Sequence, residues 1–104
     1  MREFRREIGF FENHFNDFYI KQSLSVRKKI DWILLFIQTT QYVPEKFLKH
    51  LTNTDGLWEV RIIAGDGIFR IFCFFDEGNL IILLSGFQKK SQKTPLKKLR
   101  RQNV

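Results

Sequence analysis

Two arginines, Arg61 and Arg70, sit in apolar segments on either side of the turn sequence Ala64-Gly65-Asp66-Gly67. If Ala64 and Gly67 close that turn, Arg61 lies directly across the ladder from Arg70. Facing like charges destabilise a sheet by a few tenths up to about 1 kcal/mol, so the pair implies an anion between them or an acid beside them. Guanidinium suits an anion site because it is always charged and presents a planar fork to phosphate or carboxylate oxygens. Glu59 alternates with Arg61 and reads as the residue that orients an arginine. A second turn, Asp76-Glu77-Gly78-Asn79, is expected to pair Phe75 with Leu80 and to set Arg70 opposite Ser85. Phe87 and Lys89 then follow on the arginine face.

Other residue types with chemical potential are sparse. His50 lies beside Lys46 and Lys49, on the stretch leading into the first arginine segment, and reads either as a general base or substrate contact or as an ordinary surface or partly packed histidine. His14 reads as structural or exposed, and Cys73 as a core residue. Two distant histidines and one cysteine do not make a metal-ligand set, and no phosphate-binding glycine loop is present, so neither a metal nor a cofactor is expected. The aspartates recur at turns, where they belong.

Charge is distributed unevenly along the 104 residues. Residues 1–88 balance eleven basic against eleven acidic side chains, whereas 89–104 carry Lys89, Lys90, Lys93, Lys97, Lys98, Arg100 and Arg101 and no acid. The net charge of +7 therefore belongs to the C-terminal end. A neutral body with a basic end fits a polyanion partner (nucleic acid, an anionic surface or an acidic protein segment) or a solvated tail. The 43% hydrophobic content, with twelve Phe, excludes a disordered chain, and the length fits one domain. A single cysteine excludes a disulfide framework and fits a reducing cytoplasm. The longest apolar run, Trp32 to Ile37, falls far short of the ~20 residues of a membrane span. The N-terminus does not read as a signal peptide, so neither secretion nor a membrane partner is expected.

The elements that must position the arginines follow from periodicity. Glu3 to Phe11 reads as a short strand, and Asn13 to Leu24 as a first helix. Ser25 is the expected N-cap of a second helix, whose Val26, Ile30, Ile33, Leu34 and Ile37 form one stripe before Pro44 ends any continuation. Trp32 and Phe36 fall off that stripe and read as core or, less readily, as stacking or partner-contact residues. Leu57 to Ile63, Ile68 to Phe75 and Leu80 to Phe87 form a three-strand antiparallel meander. The expected fold is α+β: an antiparallel sheet, made of an N-terminal strand plus the meander, with a helical hairpin on one face. Trp58, Val60, Ile62, Phe69, Ile71, Cys73, Phe75, Leu80, Ile82 and Leu84 are expected under the helices. Phe72, Phe74, Ile81 and Leu83 are expected to make an apolar half of the arginine face, suited to a partner.

Certain segments, taken together, resemble a known family. They are Lys49-His50-Leu51, Gly56-Leu57-Trp58-Glu59-Val60-Arg61, Phe69-Arg70-Ile71-Phe72 and the ending Gly86-Phe87-Gln88-Lys89-Lys90-Ser91-Gln92-Lys93-Thr94-Pro95. The chain resembles the RelE/ParE toxin superfamily, in its HigB-like, phage Gp49-like branch, over roughly residues 4 to 95. The resemblance implies a RelE-like toxin domain over 1–95 followed by a basic tail over 96–104. It also implies the toxin of a type II toxin–antitoxin pair: an mRNA interferase that cuts message in the ribosomal A site without metal, by attack of a 2′-hydroxyl on the adjacent phosphate. A cognate helix-turn-helix antitoxin would neutralise it, and operator DNA would be met only through that complex. By motif position the catalytic residues are Arg61, Arg70, Lys89 and Lys90, with Lys46, Lys49, His50 and Lys93 as RNA contacts. Phe87 stands where some relatives carry a proton-handling tyrosine or histidine. Two other readings are open: a non-catalytic nucleic-acid or partner-binding module of the same fold, and a ParE-like gyrase inhibitor.

Overall fold

The longer helix forms because apolar residues recur on one side of it and a serine closes its first turn. In the computed structural model, which describes residues 4–65 and 67–89, it spans Leu24–Thr39 (α2), with Val26, Ile30, Ile33 and Ile37 buried. Its cap is Ser23 rather than the expected Ser25: the Ser23 hydroxyl accepts from the Val26 N–H at 3.3 Å. The preceding helix, His14–Ile20 (α1), is shorter than expected, because Lys21 and Gln22 turn back onto the Phe18 and Tyr19 carbonyls.

Five strands make one sheet: Glu7–Phe10 (β1), Leu48–His50 (β2), Trp58–Ala64 (β3), Gly67–Asp76 (β4) and Leu80–Lys89 (β5), in the order β1-β5-β4-β3-β2. The α+β architecture is as read from the sequence, with two additions. The three residues of β2 form an antiparallel edge on β3, and β1 pairs with β5 in parallel rather than antiparallel fashion. Both helices cover one face. There Phe15, Phe18 and the α2 stripe pack on Val60, Ile62, Phe69, Ile71, Cys73, Ile81 and Leu83. Gly86 also lies on that side, and a Cβ added to it would come within 2.5 Å of the Phe18 ring, so glycine is what lets α1 approach β5.

The first hairpin has the expected register: Ala64 faces Gly67 and Arg61 faces Arg70. The second does not. Gly78 adopts φ +69° in a three-residue loop that pairs Asp76, not Phe75, with Leu80. The side chains of 80–83 therefore alternate in the opposite sense to that expected. Ile81 and Leu83 are fully buried under the helices, whereas Leu80 and Ile82 share the arginine face and are half-buried. The register shifts again between Phe72 and Cys73, leaving Leu84 as an extra residue, a β-bulge. That second shift returns Ser85, Phe87 and Lys89 to the arginine face, with Arg70 opposite Phe87 instead of Ser85.

Arg6 ties the N-terminal segment to the end of α2. Its guanidinium donates to the carbonyls of Ile37 and Thr40 at 2.7 Å each and of Gln41 at 2.9 Å. A cation there satisfies carbonyls that the helix cannot and complements its dipole. Burial pushes the Arg6 pKa down from its ordinary value.

Candidate functional site

Strands β3 and β4 bring Arg61 and Arg70 onto the helix-free face, in register and side by side. Glu59, only 4% exposed, lies between them. Its two carboxylate oxygens accept from Arg70 Nη1 at 2.7 and 2.8 Å, and Arg61 Nε lies 3.4 Å from one of them. One carboxylate thus offsets the repulsion of two cross-strand cations and leaves a net positive charge. The Arg70 side chain is 14% exposed and that of Arg61 30%. Arg70 Nε is buried with no hydrogen-bond partner among the described residues.

Around this triad the sheet register sets the other expected residues. Lys49 faces Glu59 from β2, so it joins the same face. Lys89 faces Ile68, two residues beyond the Arg70–Phe87 pair and hence about 7 Å along the strand. Phe87 is 39% exposed and packs on Phe72 with ring centroids 5.3 Å apart. Four cations, Lys49, Arg61, Arg70 and Lys89, therefore share one surface with a single buried carboxylate.

Two expected contacts lie elsewhere. His50 pairs with Trp58, which turns it to the opposite side of the sheet, where its ring meets the indole edge-on at 5.1 Å. Lys46 precedes β2, its ammonium 5.0 Å from the centroid of the Phe47 ring. Lys90 and Lys93 lie outside the described residues. The apolar half of the arginine face consists of Phe72, Phe74, Leu80 and Ile82; Ile81 and Leu83, assigned to it from sequence, belong to the core.

Trp32, read from the sequence as core or as a stacking or partner-contact residue, proves to be exposed. Trp32 is 51% accessible and stacks on Phe36, and the edges of both rings meet Phe47. The signal for this group was the i, i+4 pair lying off the helix stripe. Among the described residues no three His, Cys, Asp or Glu side chains come together as a metal site. No helix among them is long and apolar enough to cross a membrane.

The sequence model of the phage-derived protein Gp49-like family matches residues 17–103, most of the chain. The chain belongs to the Gp49-like family. This is a family of RelE/HigB-type toxins. The structure is similar to a chain of the archaeal RelE–RelB complex from Pyrococcus horikoshii OT3, with a TM-score of 0.55 at 15% identity, covering 81% of this chain and 94% of that one. At that identity the likeness speaks for the fold, which is of the RelE type. No curated protein matches the chain.

Proposed function

We propose that this member of the Gp49-like family is the toxin of a type II toxin–antitoxin pair and that it cuts messenger RNA on the ribosome. The observation that carries the reading is the facing pair Arg61 and Arg70, oriented by Glu59 and joined on the same face by Lys49 and Lys89. RNA is cleaved when a 2′-hydroxyl attacks the adjacent phosphate, giving a 2′,3′-cyclic phosphate and a 5′-hydroxyl. The barrier lies largely in the charge of the pentacoordinate phosphate. A preorganised donor aimed at such charge contributes about 3 to 4 kcal/mol. Arg61, the more exposed guanidinium, would meet the phosphate oxygens, while the Glu59 contact holds Arg70 behind it without spending side-chain entropy on binding. Lys89 and Lys90 would stabilise the strand that leaves. In this reading the protein acts in the cytoplasm, and a helix-turn-helix antitoxin covers it.

One observation favours binding without cutting. Arg70 faces Phe87, which moves no proton, and no histidine shares that face among the described residues. The two readings separate in expressing cells. A nuclease arrests growth and leaves discrete new 5′ ends on messenger RNA, seen by primer extension, and Arg61→Ala abolishes both while the protein stays folded. A binding module leaves no new ends. A gyrase inhibitor would instead raise the DNA-damage response.

A further inference from the structure

Beside the arginine face, the outer side of α2 carries a cationic aromatic surface. Trp32 and Phe36, one turn apart, stack with centroids 5.5 Å apart and planes 4° from parallel. Phe47 stands edge-on to both, at 6.4 and 5.4 Å. The Lys29 ammonium lies 5.3 Å from the centroid of the Trp32 ring, and that of Lys46 lies over Phe47. Of these rings Phe47 also lines a cleft of about 350 Å³, together with Lys29, Ile33, Lys46, Arg61 and Ile63. Three of its six lining residues are cations and none is an acid, and Ile63 stands 71% exposed at its rim.

The half of the Trp32 indole left in water, beside the Lys29 ammonium, is more than its ring contacts with Phe36 and Phe47 require. The same combination suits a single-stranded nucleic acid, whose phosphates seek cations and whose bases seek flat π-faces. Arg61 belongs both to this cleft and to the Glu59–Arg70 group, so the two surfaces are continuous around the edge of β3. The geometry points to a nucleotide-stacking subsite: Trp32 and Phe36 hold a base of single-stranded RNA flanking the phosphate gripped at Arg61, with Lys29 and Lys46 on its backbone. This rests on the nuclease reading for the position of the phosphate, but the stacking surface stands on its own rings. On binding, Lys29 leaves the indole for a phosphate, which its flexible stem permits, and a base takes its place. The alternative occupant, an acidic apolar peptide, would use the same cations without needing the stacked faces.

The experiment uses the full chain carrying Trp58→Phe, so that Trp32 is the sole tryptophan, titrated with a six-nucleotide single-stranded oligoribonucleotide. Saturable quenching of Trp32 fluorescence is expected. Anisotropy of a labelled oligonucleotide should show binding weakened about tenfold or more by Trp32→Ala, and a shallower salt dependence in the Lys29→Ala/Lys46→Ala variant. Trp32→Ala gives up ring contacts with Phe36 and Phe47 and should lower the urea midpoint, so affinities are compared without denaturant where circular dichroism shows the variant folded, which keeps the loss assignable to binding. Unchanged affinity in Trp32→Ala overturns the subsite, as does quenching by an acidic peptide but not by RNA. RNA binding through Trp32 in a chain that leaves no new 5′ ends upholds the subsite and removes only the nuclease reading. Cleavage that persists at the original rate with binding unchanged in Trp32→Ala removes only the subsite.

Discussion

Replacing Arg70 by Ala should expose how much of this fold's stability rests on one buried carboxylate. The Glu59 side chain is 6% exposed and receives both of its shortest contacts from a single Arg70 nitrogen, at 2.7 and 2.8 Å. Removing one partner of a buried pair costs about 3–5 kcal/mol because the other charge is left without compensation. The Arg61 nitrogen remains 3.4 Å away, which puts the Arg70→Ala cost at the lower end, about 3 kcal/mol. Glu59→Ala should cost a similar amount, since two guanidinium groups then face each other across the ladder unopposed. Removing both leaves no orphan, so the double variant should be destabilised by about 2 kcal/mol or more less than the sum of the singles. Urea unfolding followed by circular dichroism measures all four corners of the cycle, with equal m-values as the check that the denatured state is unchanged. Because the pair is buried, raising the salt should leave the coupling largely intact. A coupling energy below about 0.5 kcal/mol would mean that Glu59 and Arg70 act independently. The account of how the arginines are held would then be wrong.

Three further outcomes follow from other contacts. Arg6→Ala should lower stability by about 2 kcal/mol, since hydrogen bonds to charged groups contribute on that scale and three carbonyls at the end of α2 lose their donor. An urea midpoint equal to that of the parent would show that water replaces the guanidinium fully. Gly86→Ala should cost about 1–3 kcal/mol by overpacking, and less in a Phe18→Leu background, because the Phe18 ring is what the new methyl meets. Burial pushes the Cys73 thiol up from an ordinary value of 9.0 to about 12. The folded thiol keeps its proton while the unfolded one releases it, so the contribution is complete below pH 9 and is lost as the pH rises from there. Between pH 9 and 11 the parent should lose about 1.4 kcal/mol per pH unit more than Cys73→Ala, measured by urea titrations at each pH. Parallel profiles would refute the buried, protonated thiol.

Much of this architecture was written in local signals, and the departures have local causes. The stripe from Val26 to Ile37 and the short turn signal between Ala64 and Gly67 place α2 and the Arg61–Arg70 pairing correctly, because each depends on neighbours in sequence. The phase of 80–83 was misread because it depends on whether Asp76 or Phe75 closes the second turn, and the Gly78 conformation decides that. Two shifts of one residue in the same direction, the loop and the bulge at Leu84, add to a slip of two, which is why Phe87 and Lys89 were placed on the correct face although the partner of Arg70 changed. His50 and Lys49 differ for a similar reason. Three residues of β2 give no periodicity to read, and only pairing with β3 sends one side chain to each face. The Trp32 and Phe36 rings, the first half-exposed and the second partly buried, were ambiguous because an aromatic pair one turn apart looks the same in sequence whether a partner element covers it or solvent does.

The extra residue at Leu84 divides the last strand into two halves with separate duties. Upstream of it the alternation answers to the helices, and Ile81 and Leu83 are fixed by the volume available beneath them. Downstream, only Gly86 still answers to the Phe18 ring, while Ser85, Phe87 and Lys89 stand on the arginine face. Were Leu84 drawn into the ladder as an ordinary paired residue, every later side chain would change sides, carrying the lysine toward the hydrophobic layer and the glutamine outward without altering any composition.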